Sequence, residues 1–369
     1  MTGEPTRSWH DAPTVIPWPG VPLGTGGGLV KSVPEDFEVE EIPAYVPGGS
    51  GDFLYLWVEK RDVGAPLLAN LVAERLGIDR GAVGMAGMKD RRAVTRQWLS
   101  VPAKLARPVE AIEGPVGDGG AIRLLRVERH DNKLKTGHLR GNRFRVRLRG
   151  RDPADDGAVA TRLEALAARG FPNAYGPQRF AQGRTIDTGL AILRGERLRL
   201  SARIERLAVS AVQSVAFNHW LAARAADGLL AAAVPGDVLM KRVSGGIFIC
   251  EDAAADTARL AAGELVVTGP LPGSKGSRAK GEALAREEAV LAELGGDGIA
   301  WGRLGRNARG ARRAAVAWPD AVGVARDDDG LVLTFGLPSG SYATVLLAHV
   351  VGLEALGEGA RDEADAGEE

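Results

Sequence analysis

The sequence predicts a two-domain protein built from both helices and strands, on three observations. The chain has 369 residues, and roughly 150 residues per domain points to two domains. Runs such as FEVEEI (37–42), FLYLWVEK (53–60) and NRFRVRLRG (142–150) have the composition or the period-two alternation of strands. Stretches such as APLLANLVAERLG (65–77) and GAVATRLEALAARG (157–170) carry apolar stripes at helical spacing. Hydrophobic content of 45% and charged content of 25% are ordinary globular values, enough for each domain to bury its own core.

The elements follow in order. About the first 28 residues are rich in Pro and Gly and end in GTGGG. No strand precedes these glycines, and LVKSVPEDFEVEEI alternates as a strand instead of opening a helix. A dinucleotide loop is therefore excluded, and a flexible lead-in is expected. FEVEEI and FLYLWVEK read as strands joined by the turn-rich PAYVPGGSGD. The first helix starts near Pro66, carries Leu67, Leu68, Leu71, Val72 and Leu76, and stops at Gly77. MAGMKDRRAVTRQWLS (85–100) sets one carboxylate, Asp90, between Lys89 and the pair Arg91 and Arg92, with Gly84 and Gly87 upstream. Such an aspartate is either a turn residue or an ionised group presented to a polyanion. Strand character resumes at TRQWLSVP. In NRFRVRLRG, Phe144, Val146 and Leu148 share a core face and the arginines share the other. Asn142 has the parity of Phe144, so its amide needs a partner.

A second helix stops at Gly170, and FPNAYGPQRFAQGR is a Pro- and Gly-punctuated loop. From there to about Val316, helices (SAVQSVAFNHWLAARAADGLL, GEALAREEAVLAELGG) alternate with short strands (GIFIC, GELVVTG). GPLPGSKGS lacks the Gly-Lys-Ser/Thr order of a phosphate loop and reads as a surface turn. LVLTFGLPSGSYATVLLAHVVGLEAL predicts a strand, a turn and an apolar helix. There is no internal repeat.

Composition narrows the function classes. The single cysteine, Cys250, excludes a disulfide within the chain and a cysteine-based zinc site. Its apolar setting reads as a buried thiol. His10, His130, His138, His219 and His349 show no ligand spacing, so no metal is expected. No apolar run approaches the roughly 20 residues of a membrane helix. The first twenty residues lack the apolar core of an export signal, and the protein is expected in the cytoplasm. The formal net charge of zero hides a basic stretch. From Arg123 to Arg151 eleven Lys or Arg face only Glu128 and Asp131. That stretch is either a surface for a polyanion such as nucleic acid or a solvated arginine-rich face. The acidic LEALGEGARDEADAGEE (353–369) is expected to fray.

Several separated blocks then occur in one order: VKSVPEDFEVEEI (30–42), AGMKDRRAVTRQWLS (86–100), NKLKTGHLRGNRF (132–144), FPNAYGPQRF (171–180), SAVQSVAFN (210–218), LPGSKG (271–276) and LPSGSYAT (337–344). Together they resemble the TruD family of pseudouridine synthases, over about residues 30 to 350. The resemblance implies an α+β fold. Its pseudouridine-synthase catalytic domain, a mixed, largely antiparallel sheet flanked by helices, would comprise residues 1–171 and 317–350. An α/β insertion domain of the TruD type would span 172–316, with an acidic tail at 351–369. The resemblance also assigns Asp90 the position of the catalytic aspartate. Lys31, Phe37, Asn142, Phe144 and Tyr342 fall at its active-site support positions. Ala348 and His349 depart from the pattern, where a charged Arg-Glu-like pair is expected.

The implied reaction isomerises uridine, typically uridine 13 of tRNA, to pseudouridine. It needs no redox step, metal or organic cofactor, but does need one ionised carboxylate. That group acts as a nucleophile or removes a sugar proton to give a glycal. Cations within a few ångströms favour its charged form, and Lys31 is a candidate. The target base must leave its stack. Phe37, Phe144 and Tyr342 are either stacking faces for it or core aromatics. Asn142 either orients Asp90 or reads a base edge, or it makes a core hydrogen bond. Lys89, Arg91, Arg92, Lys133, Lys135, Arg140 and Arg143 are the candidate RNA contacts, giving an affinity that falls with salt. The partner implied is tRNA, and the protein is expected to be a monomer. Two other readings stand beside this one: an RNA-binding protein without catalysis, and a nucleoside or glycoside hydrolase. The latter ordinarily needs a second carboxylate, for which Glu35, Asp36, Glu38, Glu40 and Glu41 are candidates, although they read as solvent and turn positions.

Overall fold

The computed structural model describes residues 6–18, 20–180, 183–296, 299, 301 and 308–352, so the predicted tail at 353–369 lies outside them. Strands β1 (Phe37–Pro43) and β2 (Phe53–Arg61) are followed by α1 (Ala65–Leu76), β3 (Gly84–Met85), β4 (Val94–Pro102), β5 (Gly114–Val116), β6 (Gly120–His130), β7 (Leu139–Leu148) and α2 (Asp156–Arg169). The middle of the chain holds β8 (Phe171–Pro172), α3 (Arg184–Leu193), α4 (Ala202–Ala226), β9 (Val238–Lys241), β10 (Ile247–Ile249), α5 (Ala253–Ala261), β11 (Leu265–Leu271), α6 (Gly281–Glu293), β12 (Ala311–Ala314) and β13 (Val316–Ala317). The last elements are β14 (Asp320–Asp327), β15 (Gly330–Pro338) and α7 (Ala343–Val351). This is an α+β architecture.

The chain divides into two units. The sheet unit comprises Gly24–Ala168, Trp318–Ala343 and Val350–Glu369. Its nine-stranded sheet runs β14-β15-β7-β1-β4-β2-β6-β5, with β3 on β4. Every pairing is antiparallel except β1 with β4. The sequence neighbours β1 and β2 are therefore not sheet neighbours, because β4 lies between them. Helix α1 covers one face at the β2, β4 and β6 end. Leu68, Val72 and Leu76 pack there with Leu56, Val58, Leu99, Val101 and Ile122, all essentially inaccessible. Gly77 ends the helix at φ 68°, where a Cβ would be strained. Leu67, expected in the stripe, is 46% exposed. The buried stripe is Leu68, Ala69, Val72, Ala73 and Leu76.

The helical unit comprises Met1–Leu23, Arg169–Ala317 and Thr344–His349. It contains the sheet β10-β9-β11-β12, the β13-β8 pair, and α3 against α4. At their crossing, a Cβ on Gly189 would meet the Ala208 carbonyl at 2.4 Å, so only glycine permits this approach. Cys250 is buried, and burial together with Asp256 pushes its thiol up to about 12. The described part of the lead-in, expected to be flexible, is packed. Trp9, Ile16 and Trp18 are buried, Arg7 pairs with Glu293, and the Ile16 carbonyl lies 2.8 Å from His349 Nε2. Proline-rich chain packs well when its apolar residues find a surface, and composition alone does not report that surface. Residues 6–18, 20–23 and 344–349 group with the helical unit. The GTGGG run, in the sheet unit, is also held: Arg151 donates to the Thr25 and Gly27 carbonyls.

Candidate active site

The site is carried by the sheet unit. Strand register sets its floor. Lys60 of β2 pairs with Thr95 of β4, Thr95 with Val39 of β1, Val39 with Phe144 of β7, and Phe144 with Phe335 of β15. These five residues therefore share one face. The next row on that face holds Glu41, Asn142 and Leu337. Phe37 and Phe144 meet edge to face at 5.9 Å, and Phe144 stacks on Phe335 at 5.2 Å.

Two loops bring the charged groups over this floor. The Asp90 loop joins β3 to β4. Gly84, in β3 just before it, is a position where a Cβ would lie 2.4 Å from both the Leu134 carbonyl and Ser100 Oγ. The fully buried Lys60 donates from Nζ to the Asp90 carbonyl at 2.6 Å. The second loop carries Lys31, whose φ of 60° is left-handed. Leu29 bridges to Arg149 before it, and Asp36 anchors it behind. Asp36 is inaccessible and accepts from Arg149 Nε at 2.9 Å and from the Val33 N–H at 3.1 Å. Burial raises this carboxyl's pKa, but the Arg149 and Val33 hydrogen bonds and the charges of Arg149 and Arg147 outweigh it, leaving it below the ordinary value. Phe37 follows directly. Arg92 ties the two loops by donating to the Ser32 carbonyl at 2.7 Å.

Lys31 Nζ then sits 3.5 Å from Asp90 Oδ2 and 4.3 Å from the centre of the Phe37 ring. The lysine side chain is 7% exposed and that of Asp90 34%. The acid faces outward while its cations are withdrawn from water. Lys31, Phe37, Asp90 and Phe144 are thus joined by contacts, and Asn142 shares the floor, its Oδ1 without a hydrogen-bond partner among the described residues. Tyr342 lies partly exposed in the turn between β15 and α7. The Ser339 N–H bonds the Arg140 carbonyl, which brings that turn to the start of β7.

The sequence model of the family described as tRNA pseudouridine synthase D (TruD) matches residues 22–199 and 197–350. A tRNA pseudouridine synthase D of Anaeromyxobacter sp. is 46% identical over 335 residues, covering 89% of this chain and 93% of that one. One from Thermus thermophilus is 41% identical over 336 residues, covering 89% and 90%. The chain belongs to the TruD family. A crystal structure described as a putative TruD from Methanosarcina mazei shares the fold, with TM-score 0.69, 24% identity and coverage of 92% and 96%. TruD is an isomerase family, and the chain is an enzyme of that class.

The cations expected to meet RNA in this TruD chain separate into different groups. Lys89 is a correction. Its side chain is 3% exposed and bonds Glu41 Oε2 at 2.7 Å, itself 1% exposed, so it is an internal ion pair. Glu41, expected at a solvent or turn position, is buried with it. Lys133 donates to the Gly81 carbonyl. Arg91 is 60% exposed with Asp62 3.9 Å away. Arg143 is exposed but lies 3.5 Å from Glu40. Lys135 and Arg140 are exposed.

The arginine stripe of β7 is largely neutralised on the opposite sheet face. Arg145 meets Glu38 and Asp327, Arg147 meets Asp327 and Asp36, and Arg149 meets Asp36 and Asp329. Sequence reasoning missed Lys60, Thr95 and Gln97, and placed Glu41 at a solvent or turn position although it is buried. The signal was present: each polar residue has the parity of the strand's core side chains. Thr95 Oγ1 and both amide atoms of Gln97 are buried without a hydrogen-bond partner among the described residues.

Proposed function

We propose that the chain converts uridine to pseudouridine in tRNA, with uridine 13 as target and Asp90 as the catalytic carboxylate. The observation that carries this reading is the outward-facing Asp90 carboxylate, held against the withdrawn Lys31 ammonium with its main chain pinned by buried Lys60. In this reading the sheet unit is the catalytic domain and Arg169–Ala317 forms the insertion domain. The protein works as a monomer in the cytoplasm.

The N1–C1′ bond of uridine breaks, the uracil turns, and C5 bonds to C1′. The C5 proton leaves to solvent and N1 gains one, so no redox equivalent, metal or organic cofactor is required. Asp90 attacks C1′ or takes a sugar proton. Lys31 Nζ, 3.5 Å from Asp90 Oδ2, holds the carboxylate in place for that step. Tyr342, partly exposed, is the better stacking face for the flipped base. Phe37 and Phe144 are 1% and 9% exposed and support the floor. A hydrolase with two carboxylates is disfavoured by the pairing of the remaining acids. Glu35 meets Arg61, Asp36 Arg149, Glu38 Arg145, Glu40 Arg143, and Glu41 Lys89.

The test is tritium release from tRNA transcripts carrying [5-³H]uridine. Release is expected from wild type, not from Asp90→Asn, and not when position 13 is cytidine. Asp90→Asn should keep RNA affinity within a few-fold. Retained turnover, lost binding or free uracil as product would each contradict the assignment.

A further inference from the structure

The arginines without acidic partners are not where the sequence concentrates them. Residues 194–207 contain Arg194, Arg197, Arg199, Arg203 and Arg206 against Glu196 and Glu205. All five arginines are exposed. None makes a salt bridge or side-chain hydrogen bond with another described residue. The contrast with β7 is physical: there each arginine of 143–149 has a carboxylate within 4 Å.

Local structure holds them out from the body of the helical unit. The segment is the loop after α3 and the first turns of α4. Ser201 caps α4, accepting from the Ile204 N–H. From Ala208 onward the helix is mostly buried, but Ala202–Leu207 stand out from the helical unit. Arg203 and Arg206 are three apart and so neighbours on the helix surface. Leu198, Ile204 and Leu207 lie among them at 37%, 48% and 49% exposure. A helix end that shows unpaired guanidinium groups, with its own partial positive charge, attracts phosphate.

We propose that residues 194–207 form a second contact for tRNA, one that grips phosphates and is carried by the helical unit. This rests on the reading of the chain as a tRNA enzyme. The charge excess selects a polyanion, and the guanidinium fork suits phosphate oxygens two at a time. The exposed apolar side chains cover ribose faces between phosphates. The exposed part of α4 has six residues, too short to lie in a lipid surface as an amphipathic helix.

The experiment compares full-length wild type with Arg197→Glu/Arg203→Glu/Arg206→Glu and with the milder Arg→Gln triple. Affinity for tRNA is measured across potassium chloride concentrations, together with kcat and KM for pseudouridine formation. The Glu triple should raise Kd and KM at least tenfold, with kcat within twofold. Its salt slope should fall by about three, at roughly 0.9 per phosphate contact. The Gln triple, which keeps the fold without adding acids, should shift both constants in the same direction by less. Unchanged Kd and salt slope in both triples would overturn the proposal. So would unchanged tRNA affinity with loss of binding to phosphatidylserine vesicles, which would assign the patch to a membrane. If wild type binds tRNA but makes no pseudouridine, the functional reading fails while the binding comparison still decides the patch.

Discussion

Lys89 decides between a structural and an RNA-binding role, and its replacement has a calculable outcome. Lys89→Met leaves the Glu41 carboxylate, 1% exposed, with one weak contact from the Trp98 N–H at 3.4 Å. Removing one partner of a buried pair typically costs about 3–5 kcal/mol, whereas an exposed pair is worth about 0–1 kcal/mol. The 2.7 Å geometry and mutual burial place this pair in the first class. Glu41→Leu/Lys89→Met removes both charges, and about 1–2 kcal/mol should separate it from wild type, since apolar replacement of a whole pair is often near neutral. Urea-dependent hydrogen exchange in peptides from β1 and β4 reads the opening free energy of the sheet unit by itself. Binding to tRNA is followed in parallel. A single variant within about 1 kcal/mol of wild type, or weaker tRNA binding at unchanged stability, would refute the argument and return Lys89 to the RNA surface.

Asp36 has its folded pKa depressed below the ordinary 3.8, so the unfolded chain binds its proton first as pH falls. Its stabilisation is present above pH about 4 and is lost as pH drops through the folded value. Asp36→Asn should flatten the acid limb of unfolding free energy between pH 2 and 5, and an unchanged limb would contradict the anchoring role. Gln97→Leu removes two buried amide atoms that have no hydrogen-bond partner among the described residues. It should hold or raise stability by about 1 kcal/mol while lowering kcat. Strong destabilisation by urea titration would show that the amide is satisfied after all.

How far the site could be read from the sequence depended on the range of each interaction. Asp90, Lys31 and the Asn142–Phe144 pair stand in blocks whose residue types and order are legible in one dimension. The period-two pattern of 142–150 correctly separated Phe144, Val146 and Leu148 from the arginines. The same periodicity held the clue to Glu41 and Lys60, since both carry core parity in β1 and β2. Parity shows that such a group needs a partner without saying which one. Glu41 is satisfied by a residue 48 positions away, and Lys60 by the Asp90 carbonyl 30 positions away.

The basic stretch shows the limit most clearly. Its charge density is a property of sequence, but its availability is a property of register. Strand β1 and the β14–β15 turn bring Glu38, Glu40, Asp327 and Asp329 onto the arginines from about 100 to 180 residues away. The segment 194–207 has fewer cations, yet none of its arginines meets an acid among the described residues. By itself the sequence determined which elements form, which faces they bury and which acid stands among cations, because those depend on near neighbours. Only the tertiary structure decided which charges are neutralised, which polar groups are left under Asp90, and that the proline-rich lead-in is packed. Pairing between distant segments leaves no periodic trace in either one.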